Sequence, residues 1–285
     1  MPTPEMTNTL AASLHRSSNS CSVSDLARIV FIGAECVLMQ PSHRPHLDAR
    51  GMSEASPPTT PSATAPIERA PLPDPKQRNW VWFSLQQIAQ LFFTVWFRFR
   101  AYGIENLPEG GALLIVNHQS FLDPLMVGLP LPRPVSYVAR ETLFRIPVVG
   151  WLLRRTYVIP ISRETRGTES LRESIRRLEH GFLVGIFPEG TRSLDGKLRE
   201  MKPGFVALIR RAKVPVIPVG VAGAFEAFPR GARFPRPGRI RVVFGPQLDP
   251  IHLEELSQPG REAELINWSR DSIQACLDQA YALRQ

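Results

Sequence analysis

The sequence predicts an α/β fold: a single domain with a largely parallel sheet flanked by helices, preceded by an amphipathic helix. Three observations carry that expectation. Beyond residue 101, short apolar runs alternate with segments whose apolar residues fall at helical spacing. This alternation is the pattern of parallel strands joined by helical crossovers. An uncharged 18-residue stretch, Trp80–Phe97, precedes it. The first 75 residues have neither pattern.

The predicted boundaries are therefore an extension over 1–75, a helix within 76–100, and the main domain over 101–285. In the extension, residues 52–75 hold seven prolines among Ser, Thr and Ala. Such a composition cannot bury enough apolar surface to offset the entropy of ordering, so disorder is expected. The run Ile29–Ile32 followed by Gly33–Met39 is too short and too charged to span a bilayer. It also lacks the basic start and the cleavage site of a signal peptide. A translation start at Met52 is an alternative.

In Trp80–Phe97, Ser84, Gln87, Gln90, Thr94 and Arg98 step by three or four, which places one polar stripe on an otherwise apolar helix. Trp80, Trp82 and Trp96 lie near its ends, where amphipathic rings favour a membrane interface. At 18 residues the helix reaches roughly 27 Å, barely the thickness of hydrocarbon. A membrane-associated helix lying in the interface is expected, with a single spanning helix as the alternative.

The strand candidates are 112–116, 135–139, 157–161, 182–187, 215–221 and 240–244. Leu171, Ile175 and Leu178 mark a helix that Gly181 ends. Phe205, Leu208 and Ile209 mark another, and residues 261–283 read as a final helix.

The net charge of +8 is not evenly spread. Residues 1–78 balance, with 7 basic and 7 acidic side chains, whereas 133–241 carry 22 basic against 9 acidic. Such a field favours anionic partners: phosphorylated substrates, anionic lipid or nucleic acid. Arg230, Arg233, Arg236, Arg239 and Arg241 crowd one loop rich in Pro and Gly. That loop is open to lipid headgroups, to an acyl carrier or to plain solvation. No recognised nucleic-acid motif accompanies the arginines, so no nucleic acid is expected as partner. The three cysteines, Cys21, Cys36 and Cys276, have neither metal nor disulfide spacing.

Two segments carry the chemistry. Asn117–Asp123 follows the apolar run Ala112–Val116, placing His118 in a turn at the carboxyl end of a strand, where open α/β sheets bind ligands. Ser120 and Asp123 resemble a helix start of capping-box type. Residues five apart on a continuous helix do not face each other, so a His118–Asp123 pair requires His118 to precede the helix. The second segment, Phe187–Ser193, follows Phe182–Ile186. Its glycine spacing imitates a phosphate-binding loop, but Arg192 replaces the required Lys-Ser/Thr end and Pro188 removes a backbone donor. No Gly-x-Ser-x-Gly elbow occurs, which argues against a serine acyl-enzyme. No metal-ligand cluster is evident.

Together these segments resemble the glycerophospholipid acyltransferase family, with the 1-acylglycerol-3-phosphate acyltransferases nearest. Four blocks appear in family order: Asn117–Asp123, Ile159–Arg163, Phe187–Ser193 and Val214–Pro218. Val138–Leu143 is similar to the family's Ala-Lys-x-Glu-Leu element, with Arg140 where lysine is usual. The likeness covers roughly residues 79–245. It implies Arg192 and Arg140 at the acceptor's phosphate, Glu189, Gly190 and Thr191 within the acceptor site, and Arg163 from the second block. Lys202 and Gly204 resemble a further element, and for Arg163 and Lys202 a surface ion pair is an equal alternative. A carboxylate repels phosphate, so Glu189 is expected to orient a basic group.

The chemistry expected is transfer of an acyl group from a thioester, acyl-CoA or acyl carrier protein, to the free hydroxyl of 1-acylglycerol 3-phosphate, yielding phosphatidic acid. His118 serves as general base and Asp123 as its orienting partner. No further cofactor or metal is expected. The partners are membrane lipid, the acyl donor and a lysophospholipid acceptor, at the cytoplasmic face of the cell membrane. Glycerol 3-phosphate or another lysolipid is an alternative acceptor, and a non-catalytic lipid-binding protein is the alternative from another class.

Overall fold

A computed structural model describes residues 71–76, 80–161 and 168–285. The expectations for residues 1–70 and the role given to Arg163 lie outside the described residues.

Helix α1 (Trp80–Trp96) leads into strand β1 (Arg100–Tyr102). There follow β2 (Ala112–Val116), α2 (Asp123–Gly128), β3 (Val135–Arg140), the short α3 (Glu141–Phe144), α4 (Pro147–Arg155) and β4 (Ile159–Ile161). Next come α5 (Thr168–Glu179), β5 (Leu183–Ile186), α6 (Val206–Ala212), β6 (Val216–Ala222) and α7 (Ala224–Ala227). The last elements are β7 (Arg241–Phe244), α8 (Pro250–Leu256) and α9 (Glu262–Ala282). The seven strands form one sheet in the order β1-β7-β6-β2-β5-β3-β4. β6, β2, β5, β3 and β4 run parallel to one another. β1 and β7 are mutually parallel, and β7 meets β6 antiparallel.

All six predicted strands are present. β1 escaped prediction because its three residues, Arg-Ala-Tyr, are too few to show a period. Its partner β7 supplies the register that they lack.

The central strand explains the three-layer build. All five residues of β2 are buried, as expected for a parallel strand covered on both faces. Ala112, Leu114 and Val116 join one core with Phe93 and Phe97 at the α1 end and Met126 and Val127 of α2. Leu113 and Ile115 join the opposite core with Leu178 of α5, Leu208 and Ile209 of α6, and Leu265, Ile273 and Leu277 of α9. The alternation follows from the two-residue period of a strand. Gly220 of β6 lets α9 lie close, since a Cβ there would collide with the backbone of Cys276 and Leu277.

Helix α1 departs in detail from a simple polar stripe. Gln86 faces inward and is buried, its Nε2 donating to the carbonyls of Leu129 (2.7 Å) and Leu131 (2.8 Å). These bonds tie α1 to the end of α2. Its outer side exposes Trp80, Ile88, Leu91, Phe92, Val95 and Trp96 beside Gln87, Gln90 and Thr94. Among the described residues no helix is long and apolar enough to cross a membrane.

Cys276 of α9 is buried, with its Sγ 3.6 Å from the carbonyl of Pro218. Burial pushes its thiol up to about 11. Since the thiolate is the reactive form, Cys276 in native protein should alkylate with iodoacetamide at neutral pH about a hundredfold more slowly than in unfolded chain. Peptide mapping by mass spectrometry measures this, and equal rates would mean that α9 does not cover the thiol.

Candidate active site

Parallel neighbours end at the same edge of a sheet. The carboxyl ends of β6, β2, β5 and β3 therefore bring four connections together, and the site is built from them.

The first connection begins with Asn117, whose side chain extends the ladder beyond β2. Its Nδ2 donates to Val221 O (3.0 Å), and Val221 N donates to its Oδ1 (2.7 Å). This buried amide pins the end of β2 to β6 and starts the turn. His118 follows, before the helix as the pairing requires. Its Nδ1 lies 2.8 Å from Asp123 Oδ2. The same oxygen accepts the backbone amides of Gln119 (2.7 Å) and Ser120 (2.7 Å). Three hydrogen bonds on one oxygen offset the desolvation of a carboxylate that is fully buried. A carboxylate oxygen only accepts, so Nδ1 carries the ring proton and Nε2 holds the free lone pair. The His118 side chain keeps 19% of its exposure.

Ser120 keeps only half of its predicted role: Asp123 Oδ2 accepts its amide, as in a capping box, but its hydroxyl does not cap the helix. Helix α2 has Leu122 as N-cap and no side-chain cap. The Ser120 hydroxyl instead donates to Phe228 O (2.8 Å), beyond α7. That donation leaves the hydroxyl's lone pairs free to accept, and the amide they take is that of Leu122 (3.3 Å), not one from inside the first turn of α2.

The second connection, after β5, clasps the backbone of His118 from both ends. Glu189 Oε1 accepts the His118 amide (2.6 Å), and Ser193 N donates to His118 O (2.7 Å). Glu189 Oε2 accepts the Arg199 amide (3.0 Å). The carboxylate expected to orient a basic side chain thus binds two backbone amides from two loops. Burial raises its pKa, opposed by those two hydrogen bonds and by His118. Phe187 stacks on the imidazole with ring centroids 4.0 Å apart, and Tyr137 of β3 stacks beyond it at 5.9 Å. Burial, and secondarily the charge of Asp123, holds the Tyr137 hydroxyl well above the usual phenol range.

Gly190 has φ +67°, the left-handed region that glycine enters freely, and the Lys202 side chain lies against the space where a Cβ would stand. Thr191 is half-buried. Arg192 is buried, with its guanidinium 4.4 Å from the centre of the Phe121 ring. Phe121 belongs to the His118 turn, so the cation and the imidazole flank one short segment. Arg140 ends β3, the parallel neighbour of β5, at the same edge.

The contributions of Asn117 and Gln86 escaped prediction, because an amide's partners are set by tertiary neighbours. Of the five loop arginines, Arg241 is buried and donates to Leu283 O and Arg98 O. Arg239 donates to Arg284 O and Gln285 O. Among the described residues no cluster of three or more His, Cys, Asp or Glu could hold a metal ion.

A sheet-edge site with a His–Asp pair, clasped by a Phe-Pro-Glu-Gly-Thr-Arg loop, defines a class. The acyltransferase family model matches residues 98–222 of this chain. It is 30% identical over 211 residues to a chloroplastic 1-acyl-sn-glycerol-3-phosphate acyltransferase of Arabidopsis thaliana, a match covering 72% of this chain and 56% of that one. It is 28% identical to a 1-acyl-sn-glycerol-3-phosphate acyltransferase of Bacillus subtilis, over 63% of this chain and 90% of the relative. Its fold superposes with a TM-score of 0.60 on the crystal structure of the 1-acyl-sn-glycerophosphate (LPA) acyltransferase PlsC from Thermotoga maritima. That pair is 27% identical, over 70% of this chain and 79% of PlsC.

Proposed function

We propose that the protein transfers an acyl group from an acyl thioester, carried on coenzyme A or acyl carrier protein, to the free hydroxyl of 1-acylglycerol 3-phosphate. The observation that carries this reading is the His118–Asp123 pair at 2.8 Å, set in a turn that also carries Phe121 beneath the Arg192 guanidinium. The names of the similar proteins agree with it.

In this mechanism His118 Nε2 takes the proton of the acceptor hydroxyl as its oxygen attacks the thioester carbonyl. Asp123 holds the ring tautomer and stabilises the imidazolium that forms. The tetrahedral intermediate then collapses, the carbon–sulfur bond breaks, and the imidazolium returns its proton to the departing thiolate. An ester and a free thiol result, with His118 neutral again. Arg192 and Arg140 bind the acceptor's phosphate, for which the planar guanidinium fork is suited. Glu189, Gly190 and Thr191 shape the acceptor site around them. Helix α1 lies against membrane lipid through its exposed apolar residues and presents the site to lipid at the cytoplasmic face.

Acyl transfer by purified protein in detergent, with labelled acyl-CoA and 1-acylglycerol 3-phosphate, tests the reading, and phosphatidic acid is the expected product. Arg192→Ala should raise KM for the phosphorylated acceptor roughly ten- to a hundredfold, the worth of a charge-assisted hydrogen bond. An equal loss with neutral acceptors would make Arg192 structural instead.

A further inference from the structure

We infer that the loop between α7 and β7, carrying Arg230, Arg233, Phe234 and Arg236, is a second lipid-contacting element that selects anionic membrane surfaces. The inference rests on the reading of α1 as the helix that lies against lipid.

The loop is anchored at both ends to parts already described. At its start, Phe228 O accepts the Ser120 hydroxyl (2.8 Å), two residues from His118. Within it, Arg236 N donates to Ala227 O (2.7 Å) and Ala232 N to Pro229 O (3.2 Å). At its end, Ile240 N donates to Phe97 O (3.0 Å), the residue after α1, and Arg100 N donates to Ile240 O (3.2 Å). Ala232 packs against the core that holds Phe93 and Phe97. The loop therefore borders the end of α1, where Val95 and Trp96 are exposed.

Its side chains divide by employment. Arg239 and Arg241 are committed to backbone carbonyls, as described above. Arg233 and Arg236 are exposed and Arg230 is partly so. None of these three forms an ion pair with a carboxylate among the described residues. Glu226, the acidic side chain nearest in sequence, is occupied by Arg284 at 2.7 Å. Between these cations stands Phe234, a large apolar side chain 57% exposed. Unpaired arginines around an exposed ring, continuous with an exposed apolar helix, suit a surface with negative charge outside and hydrocarbon beneath. Each arginine near an anionic bilayer adds attraction that salt screens. A nucleotide or an acidic carrier protein would use the same charge, but the continuity with α1 favours lipid.

The test is co-sedimentation of full-length protein with vesicles of neutral phosphatidylcholine, and with vesicles in which part of that lipid is replaced by phosphatidylglycerol. Wild type should prefer the anionic vesicles on the order of a hundredfold, less at high salt. The variant R230Q/R233Q/R236Q should lose that preference yet bind neutral vesicles as wild type does, with KM for acyl-CoA in detergent unchanged. A wild type that binds both vesicles equally, or a variant that keeps the preference, would overturn this inference and leave the α1 reading standing. A variant whose KM for acyl-CoA rises while its vesicle preference persists would assign the loop to the donor instead. Failure of wild type to bind either vesicle would overturn the α1 reading as well. Phe234→Ser, with the arginines intact, should weaken binding to both vesicle types several-fold, and unaltered binding would remove the ring from the surface.

Discussion

Replacing His118 by alanine should reduce turnover roughly a hundred- to ten-thousandfold, the usual worth of a positioned general base, with folding unchanged. The turn does not depend on the imidazole for its shape. Asn117 is bonded to Val221, the His118 amide to Glu189, the His118 carbonyl to Ser193 N, and Asp123 retains the amides of Gln119 and Ser120. Near-normal turnover by a folded variant would sink the mechanism. Asp123→Asn separates charge from geometry. All three bonds to Asp123 fall on Oδ2, while Oδ1 is buried without a partner. An asparagine can place its oxygen at the Oδ2 position and keep the His118 tautomer. What it loses is the negative charge facing the imidazolium, so its loss of turnover should be smaller than that of His118→Ala. A loss as large as that of His118→Ala would mean that the unpaired amide has displaced the ring.

The parts of this fold legible in the sequence are those whose cause is local. β2, β5 and β6 are runs of apolar residues because both faces of a central parallel strand are buried, and burial on both faces leaves an uninterrupted run. The position of His118 before a helix was legible from Ala112–Val116 and the turn after it. Less legible was whatever depends on which backbone groups come to face a side chain. Asn117 and Gln86 look like ordinary polar residues until β6 and the end of α2 supply their partners. The capping signature of Ser120 and Asp123 is realised in the bond from the Ser120 amide to Asp123, whereas the carbonyl 108 residues away that takes the Ser120 hydroxyl was not legible. The loop arginines formed one cluster by composition, and the fold divides them, because Arg241 lies on a strand and Arg239 beside the end of α9.

Glu189 is the residue whose expected and observed surroundings differ most, and its variants carry the second large effect. Glu189→Ala leaves the amides of His118 and Arg199 without their acceptor, a penalty of about 1–3 kcal/mol for each buried donor. It should lower kcat a hundredfold or more with little change in either KM, because the loop that aims His118 is loosened. A residue that touches the acceptor directly would show a raised KM for that substrate alone, which steady-state kinetics separates. Glu189→Gln keeps one oxygen acceptor but turns an amide N–H toward a backbone N–H, so it should restore kcat only in part. The pH dependence has a definite sign. Burial raises the Glu189 pKa in the folded state, so folded protein holds that proton more tightly than unfolded chain does. Its contribution is therefore most favourable below the unfolded carboxylate pKa. That contribution is lost as pH rises through the raised folded value, and is constant above it. The stability of wild type relative to Glu189→Gln, followed by thermal unfolding from about pH 4 to pH 8, should decline and then level. A relative stability that rises with pH would show that the two amides outweigh burial and that the carboxylate is held charged.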